Sequence, residues 1–257
     1  MVSKLSYVLF IAVVALSAGQ APAQQHQGSP HRTTSDGTET ASPFAFTVYG
    51  AFRRMMHLQD LGAKAQLSAV IQGGATDAVG AVSGLRGEIT VIDGKLLVTY
   101  GTPCPTCRPA NDQATLLASA RVVAWHTPVA LPSDLKGPAL DAWIVDQATR
   151  AGIDVSKPFP VRLSGTLTNV TMHVMRAFNS SFKGHGSGHA MADQENIVAK
   201  SIDGSVVGFY APPDLQGVVT HPGQPFHYHW VDVGHTRTAH LDVFTMKNGA
   251  HLLLPKH

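Results

Sequence analysis

Two histidines stand two residues apart in Phe226-His227-Tyr228-His229-Trp230, and His240 follows eleven residues after His229. On a β-strand, residues i and i+2 point to the same face, about 6.6 Å apart at roughly 3.3 Å of rise per residue. His227 and His229 therefore project together, while Phe226, Tyr228 and Trp230 pack the opposite face. Gly234-His235 reads as a two-residue hairpin turn with glycine in the first central position. Folding about that turn pairs Val233 with Thr236 and sets His229 opposite His240. It also places Asp242 opposite His227, where a carboxylate would orient a ligand imidazole. Three imidazoles converging on one sheet face, with a coordination position left open, is the chemistry of a catalytic metal site. A chain with 14 histidines offers chance pairs, but a His-x-His strand with a third histidine in register across a turn is a far narrower pattern.

Acidic chemistry is concentrated in few places. The only glutamates are Glu39, Glu88 and Glu195, and Glu88 opens the apolar strand-like run Glu88-Ile89-Thr90-Val91-Ile92. A salt bridge to Arg86 or a turn cap is the plain structural alternative for it. The two cysteines form Cys104-Pro105-Thr106-Cys107. They read as a local disulfide pinning a proline-rich loop. Nothing around them has the βαβ setting of a redox pair, and two cysteines are too few for a zinc ribbon.

The elements that must position these groups are mostly strands. Met1 to Ala23 has a short basic start at Lys4, an apolar run from Tyr7 to Leu16, and the small-x-small site Ala21-Pro22-Ala23. That is a secretory signal peptide, since the apolar run is too short to span about 30 Å of hydrocarbon. An exported protein, periplasmic or secreted, is expected. Residues 24–42 are polar and small, the composition of a disordered leader. Residues 43–257 are the folded domain, with a sub-domain divide expected near 125–160. The net charge of +2 gives no reason to expect nucleic acid or a membrane as partner; a small-molecule substrate is expected, and a homodimer stays open as the assembly.

Within the domain, Phe46 to Tyr49 reads as a strand and Ala51 to Leu61 as a short helix with His57 outward. Asp93-Gly94 is a hairpin signal between Glu88-Ile92 and Lys95-Tyr100. Residues 114–125 fit helix followed by strand, or strand alone. Ser133-Asp134 begins a helix with body 138–152. Strands follow at 161–167, 169–175, 197–202 and 205–210, and Asn179 to Asp193 is a Gly/Ser/His-rich loop containing His185 and His189. The fold class is α+β: mixed or antiparallel β-sheets with few helices, two packed sub-domains being one arrangement, and the three-histidine site on a C-terminal β-hairpin.

These residues carry a resemblance. Gly80 to Lys95, GAVSGLRGEITVIDGK, resembles the GTFNGLDGELIVLDGK segment of α-acetolactate decarboxylases. Gly204 to Pro212 is similar to that family's GTLVGFRSP, and Val161-Arg162-Leu163-Ser164-Gly165 resembles its IRIDG strand. Phe226-His227-Tyr228-His229 with His240 matches its HLHF…GGH zinc motif in order and spacing. The resemblance spans roughly residues 46–250. It implies a Zn2+ enzyme that converts 2-acetolactate to acetoin and CO2, a carboxy-lyase without an organic cofactor. His227, His229 and His240 would be the zinc ligands and Glu88 the active-site carboxylate. An arginine between the two motifs would be Arg176 by spacing, or Arg162 if it comes from the IRIDG-like strand.

Losing CO2 from a β-keto acid leaves an enolate-like carbanion, so the site must hold negative charge on the former ketone oxygen. A Lewis acid does that; an arginine holds the carboxylate by paired hydrogen bonds, and a placed acid such as Glu88 protonates the carbon. The sequence departs from the family in having no carboxylate after Asp242, where the family has an acidic residue. Its histidine-bearing loop also stands where the family has a VPRQ-like segment. These departures favour the alternative of an exported zinc-binding or sensing protein without turnover. A cupin-type oxygenase also uses His-x-His on a strand, but wants a Glu a few residues on, where Asp232-Val233 stand.

Overall fold

The computed structural model describes residues 44–71, 74–181 and 192–256. The segments expected as signal peptide and leader lie outside these residues, as do His185 and His189. The first sheet comprises β1 (Thr47–Tyr49), β2 (Ala65–Gln66), β3 (Thr76–Val82), β4 (Gly87–Ile92), β5 (Lys95–Tyr100) and β6 (Gln113–Arg121). Its order is β1-β6-β3-β4-β5, with β2 on β6, and every pairing is antiparallel. Ile92 pairs with Lys95, so Asp93-Gly94 makes a two-residue turn with φ of +50° and +74°, as a twist-matched hairpin requires. The ambiguous run near 114–125 is strand as far as Arg121: β6 pairs on one edge with β1 and on the other with β3. Such two-sided pairing overrides a weak helix preference.

Helix α1 (Phe52–Leu58) follows β1, α2 (Leu67–Val70) follows β2, and α3 (Gly137–Arg150) precedes the second sheet. The helix expected to start at Ser133-Asp134 begins instead at Gly137, with proline in its first turn. Asp134 does not cap it; its carboxylate accepts from the Lys247 ammonium and from the Asn248 amide.

The second sheet holds β7 (Val129–Ala130), β8 (Leu135–Lys136), β9 (Phe159–Phe178), β10 (Ala192–Tyr210), β11 (Phe226–Val231), β12 (Thr238–Met246) and β13 (His251–Leu253). The strand pairs expected at 161–167 with 169–175, and at 197–202 with 205–210, are each one continuous strand. β9 and β10 form a single hairpin of 20 and 19 residues in which Gly165 pairs with Gly204. Neither glycine ends its strand. Gly165 has φ +146°, and a Cβ on Gly204 would lie 2.3 Å from the Trp230 indole nitrogen. β11 pairs with β10 and β12, and β12 pairs back onto β9. The path β9-β10-β11-β12 thus closes on itself.

The two sheets share one core. Val79 and Ala118 of the first sheet belong to the same buried apolar cluster as Phe159, Leu163, Val207, Phe209 and Ile144. The opposite face of the first sheet is covered by a second cluster, with Leu67, Ile89, Val91 and Leu117 fully buried. A polar lock joins the sheets. Arg162 on β9 donates from Nε and Nη2 to Asp77 at 2.6 and 2.5 Å, and from Nη1 and Nη2 to Asp93 at 3.0 and 2.6 Å. Trp125 covers the guanidinium, 4.4 Å from ring centroid to Cζ. The Arg162 hydrogen bonds hold the Asp93 carboxyl below its usual range against the opposing effect of burial.

Candidate metal centre

β11 alternates as its composition requires: Phe226, Tyr228 and Trp230 pack one face, and His227 and His229 the other, all buried. His229 pairs directly with His240 on β12. The ligand nitrogens of His227, His229 and His240 lie within 4.8 Å of one another. His227 Nε2 is 3.0 Å from His229 Nε2 and 3.2 Å from His240 Nδ1.

The hairpin turn differs from the sequence expectation. The His235 amide donates to the Asp232 carbonyl at 2.9 Å, so Val233 and Gly234 are the central residues, and His235 takes the left-handed region with φ +51°. The reason is Asp232, whose carboxylate accepts from the Thr236 amide at 2.6 Å, the Thr236 hydroxyl at 2.9 Å and the Arg237 amide at 2.7 Å. Burial pushes the Asp232 carboxyl up, but these bonds outweigh it and hold it below its usual range. A depressed carboxyl contributes stability that is full above the unfolded pKa of about 3.9 and is lost as pH falls through the lower folded value. Asp232→Ala should cost about 1–2 kcal/mol and flatten the acid limb of a plot of Tm against pH below about pH 4. An unchanged acid limb would show that the turn stands without the carboxylate.

Asp242 is also displaced from its expected place. The β9–β12 ladder is irregular between Leu241 and Val243, and this bulge turns the carboxylate toward β9. Both Asp242 oxygens lie 2.9 Å from Nδ1 of His173, rather than beside His227. His227 is oriented instead by the Val219 carbonyl, 3.2 Å from its Nδ1.

Glu88 and Thr90 are two apart on β4 and face the hairpin together, while Ile89 and Val91 turn into the core behind. Glu88 Oε2 is 3.7 Å from His229 Nε2, and Oε1 accepts the Met175 amide at 3.2 Å. Burial raises the Glu88 carboxyl to about 7, with His173 pulling it down. Thr90 Oγ1 lies 3.1 Å from His229 Nδ1 and 2.5 Å from Thr238 Oγ1, and Thr238 donates to the Trp230 carbonyl at 2.9 Å. That last bond sets the direction of the chain. Thr238 must accept from Thr90, so Thr90 accepts from His229 Nδ1–H, leaving the Nε2 lone pair aimed at the cluster.

The two arginines lie elsewhere. Arg162 is committed to Asp77 and Asp93. Arg176 sits at a bulge in the β9–β10 ladder with its side chain 42% exposed and Nη2 3.8 Å from Glu195. Neither lines the cavity of about 30 Å³ above the cluster, whose wall is Phe52, Met55, Leu85, Leu116 and Met175 with Glu88, His173, His221, His227 and His240. His173 and His221 were not singled out from sequence. The signal for His173 was a histidine flanked by Met172 and Val174 inside a strand-like run. Its meaning depends on the long-range pairing that sets it opposite His240.

A family model described as alpha-acetolactate decarboxylase matches residues 43–253. The chain belongs to that family. A comparison with curated proteins gives no match. Among solved structures, alpha-acetolactate decarboxylase from Bacillus subtilis strain 168 superposes with TM-score 0.66 at 15% identity, covering 82% of this chain and 86% of that one. A Staphylococcus aureus protein described as similar to alpha-acetolactate decarboxylase gives 0.62 at 16% identity, with the same coverages. Acetolactate decarboxylase from Bacillus subtilis subspecies spizizenii gives 0.63 at 14% identity, again covering 82% and 86%. At these identities the superpositions establish a shared fold. The family is one of carboxy-lyases acting on a small molecule.

The residues of this decarboxylase-family chain fit a metal ion. An ion bound tetrahedrally by imidazoles at about 2.0–2.1 Å sets its ligand nitrogens about 3.3 Å apart, close to the 3.0 and 3.2 Å found here. The three rings must also be neutral to offer lone pairs. Burial lowers His227 to about 3 and holds His229 and His240 well below the ordinary histidine range, with repulsion from neighbouring imidazoles adding to it. The Val219 carbonyl and the Thr90 hydroxyl take the outward N–H of His227 and His229, the arrangement that fixes a ligand tautomer.

Proposed function

We propose that the chain decarboxylates 2-acetolactate to acetoin and CO2, with a zinc ion held by His227, His229 and His240. The observation that carries this is the convergence of three buried imidazoles beside a buried carboxyl, Glu88, with His227, His240 and Glu88 lining one cavity. Three imidazole ligands and an open position suit zinc. When bound, the ion supplies Lewis acidity toward the oxygen that gains charge as CO2 leaves, worth several kcal/mol in such sites.

The protein's own contribution is proton placement and water exclusion. Glu88, held by the Met175 amide and raised to about 7 by burial, carries a proton near neutral pH and delivers it to the carbon that loses CO2. Phe52, Met55, Leu85, Leu116 and Met175 keep the cavity apolar, so developing charge is felt strongly by the few polar groups present. Glu88→Gln should retain zinc yet lower kcat by about 100-fold or more, the usual contribution of a placed acid. Zinc content measured beside acetoin production separates the two effects, and undiminished turnover would remove Glu88 from the mechanism.

A second reading, a zinc-binding protein without turnover, draws on the narrowness of the cavity and on neither arginine lining it. Racemic acetolactate incubated with zinc-loaded protein decides between them. Metal-dependent acetoin and CO2 support the enzyme, whereas zinc without acetoin supports the binding protein.

A further inference from the structure

We propose that a second cavity, between α3 and the parting ends of β11 and β12, binds a small organic cation, its ammonium on Asp141 and its apolar body on Phe226, Tyr228 and Phe244. The cavity has a volume of about 520 Å³, in the range of about 300–1,000 Å³ usual for small-molecule sites. Its origin lies in the ladders. β11 pairs with β12 only from His229 to Val231. Beyond that, β12 gives its edges to β9 and β8, leaving a gap beside Phe226 and Tyr228. The first turn of α3 lines one side of the gap and Gly223 to Pro225 another. Phe226 and Tyr228 project from β11 on the face opposite His227 and His229, so the cavity backs onto the metal centre and is separate from the one the histidines line.

The floor is apolar. Phe226 and Tyr228 stack with centroids 5.0 Å apart at 7°, and Phe244 meets Tyr228 edge-on at 5.4 Å. Leu140 and Leu241 complete the floor, and all five side chains are buried. Asp141, on the second turn of α3, brings a charge to this surface. Its Oδ1 accepts the Tyr228 hydroxyl at 2.9 Å. Among the described residues its other oxygen has no hydrogen bond or ion pair, and burial works against the ionised form. A carboxylate removed from water without a cation is costly. A ligand ammonium placed there restores the missing partner through a charge-assisted bond.

The other charges around the cavity leave this sign in force. Lys136 lines the mouth but is exposed, so water screens its repulsion of a cation. The amino end of α3 carries partial positive charge, which Asp141 one turn inside it offsets. Asp242, the second acid on the wall, is held by His173, and His240 belongs to the metal cluster.

The test is calorimetry on the zinc-loaded full chain with three probes of one shape: phenethylammonium, the uncharged 2-phenylethanol and the anionic 3-phenylpropionate. Phenethylammonium is expected to saturate one site and to bind about 10- to 100-fold more tightly than 2-phenylethanol, the usual weight of a hydrogen bond to a charged group. 3-Phenylpropionate should bind weakest. Asp141→Asn, which keeps an acceptor for the Tyr228 hydroxyl, should erase the advantage of the cation over the alcohol. Lys136→Gln should tighten phenethylammonium by a few-fold. Equal affinity for cation and alcohol, a preference for the anion, or no saturable binding of phenethylammonium overturns the proposal. So does an undiminished cation preference in Asp141→Asn. Competitive displacement by 2-hydroxyisobutyrate, a hydroxy acid suited to a metal ion, would merge this cavity with the metal site and overturn it as well. Should Asp141→Asn not fold, Lys136→Gln decides: tighter phenethylammonium binding supports the proposal, and unchanged binding overturns it. None of these measurements involves turnover, so the outcome is independent of the decarboxylase reading.

Discussion

His227→Ala is expected to purify with almost no metal where the wild-type chain holds about one ion, and to make no acetoin at any substrate concentration. The three ligand nitrogens are the only group of histidine, cysteine or carboxylate side chains among the described residues that converges in this way. With one removed, two imidazoles remain, and the chelate is lost. His229→Ala should lose metal equally, but the apoproteins should differ. His227 gives up one bond, to the Val219 carbonyl. His229 is the donor that begins the chain through Thr90 and Thr238 to the Trp230 carbonyl, all of it buried. Its removal leaves the Thr90 oxygen without that donor, although the hydroxyl still donates to Thr238, and forfeits the bond to the Ile89 backbone as well, together about 1–3 kcal/mol. Apo His229→Ala should therefore melt below apo His227→Ala by several degrees. Elemental analysis and calorimetry on both variants check the pair of claims, and full metal occupancy in His227→Ala would move the metal site elsewhere.

Arg162→Met should be the most destabilising single change outside the apolar core. Asp77 is completely buried and is held by two bonds from Arg162, which also takes both oxygens of Asp93. Removing one partner of a buried pair leaves an uncompensated charge, typically at a cost of about 3–5 kcal/mol. For a domain of this size that corresponds to a fall in Tm on the order of 10 °C. Below its melting range the variant should keep the metal and the KM of wild type, because Arg162 spans the sheets away from the histidine cavity. A variant as stable as wild type but with raised KM would give Arg162 a role at the substrate instead. The double variant Asp77→Asn with Arg162→Met should recover part of the loss, since the stranded charge is then absent.

The hairpin was legible because its information is local. Alternation in Phe226-His227-Tyr228-His229-Trp230 sets the face, and the distance from His229 to His240 sets the register. Even there the turn is set by Asp232, whose carboxylate organises the loop, rather than by Gly234. Glu88 stood out as a glutamate in an apolar strand, but its partners Met175 and His229 are supplied by other strands. What could not be read locally was everything that depends on β9 meeting β12. The bulge that redirects Asp242, the arrival of His173 opposite His240, and the engagement of Arg162 by Asp77 all come from pairings or contacts about 70 residues or more apart. Residue spacing carries no record of them.

The closure of β9, β10, β11 and β12 on one another has a kinetic consequence. A hairpin at the free margin of a sheet can fray, and ligands mounted on it would be released one at a time. Here β11 is bonded on both edges, to β10 and β12, and β12 in turn to β9. Separating His227 and His229 from His240 means breaking ladders on several strands together, so the opening that frees the ligand set approaches the cost of unfolding the whole sheet. The lifetime of the three-histidine arrangement is thus governed by the domain's unfolding rate rather than by the flexibility of a loop.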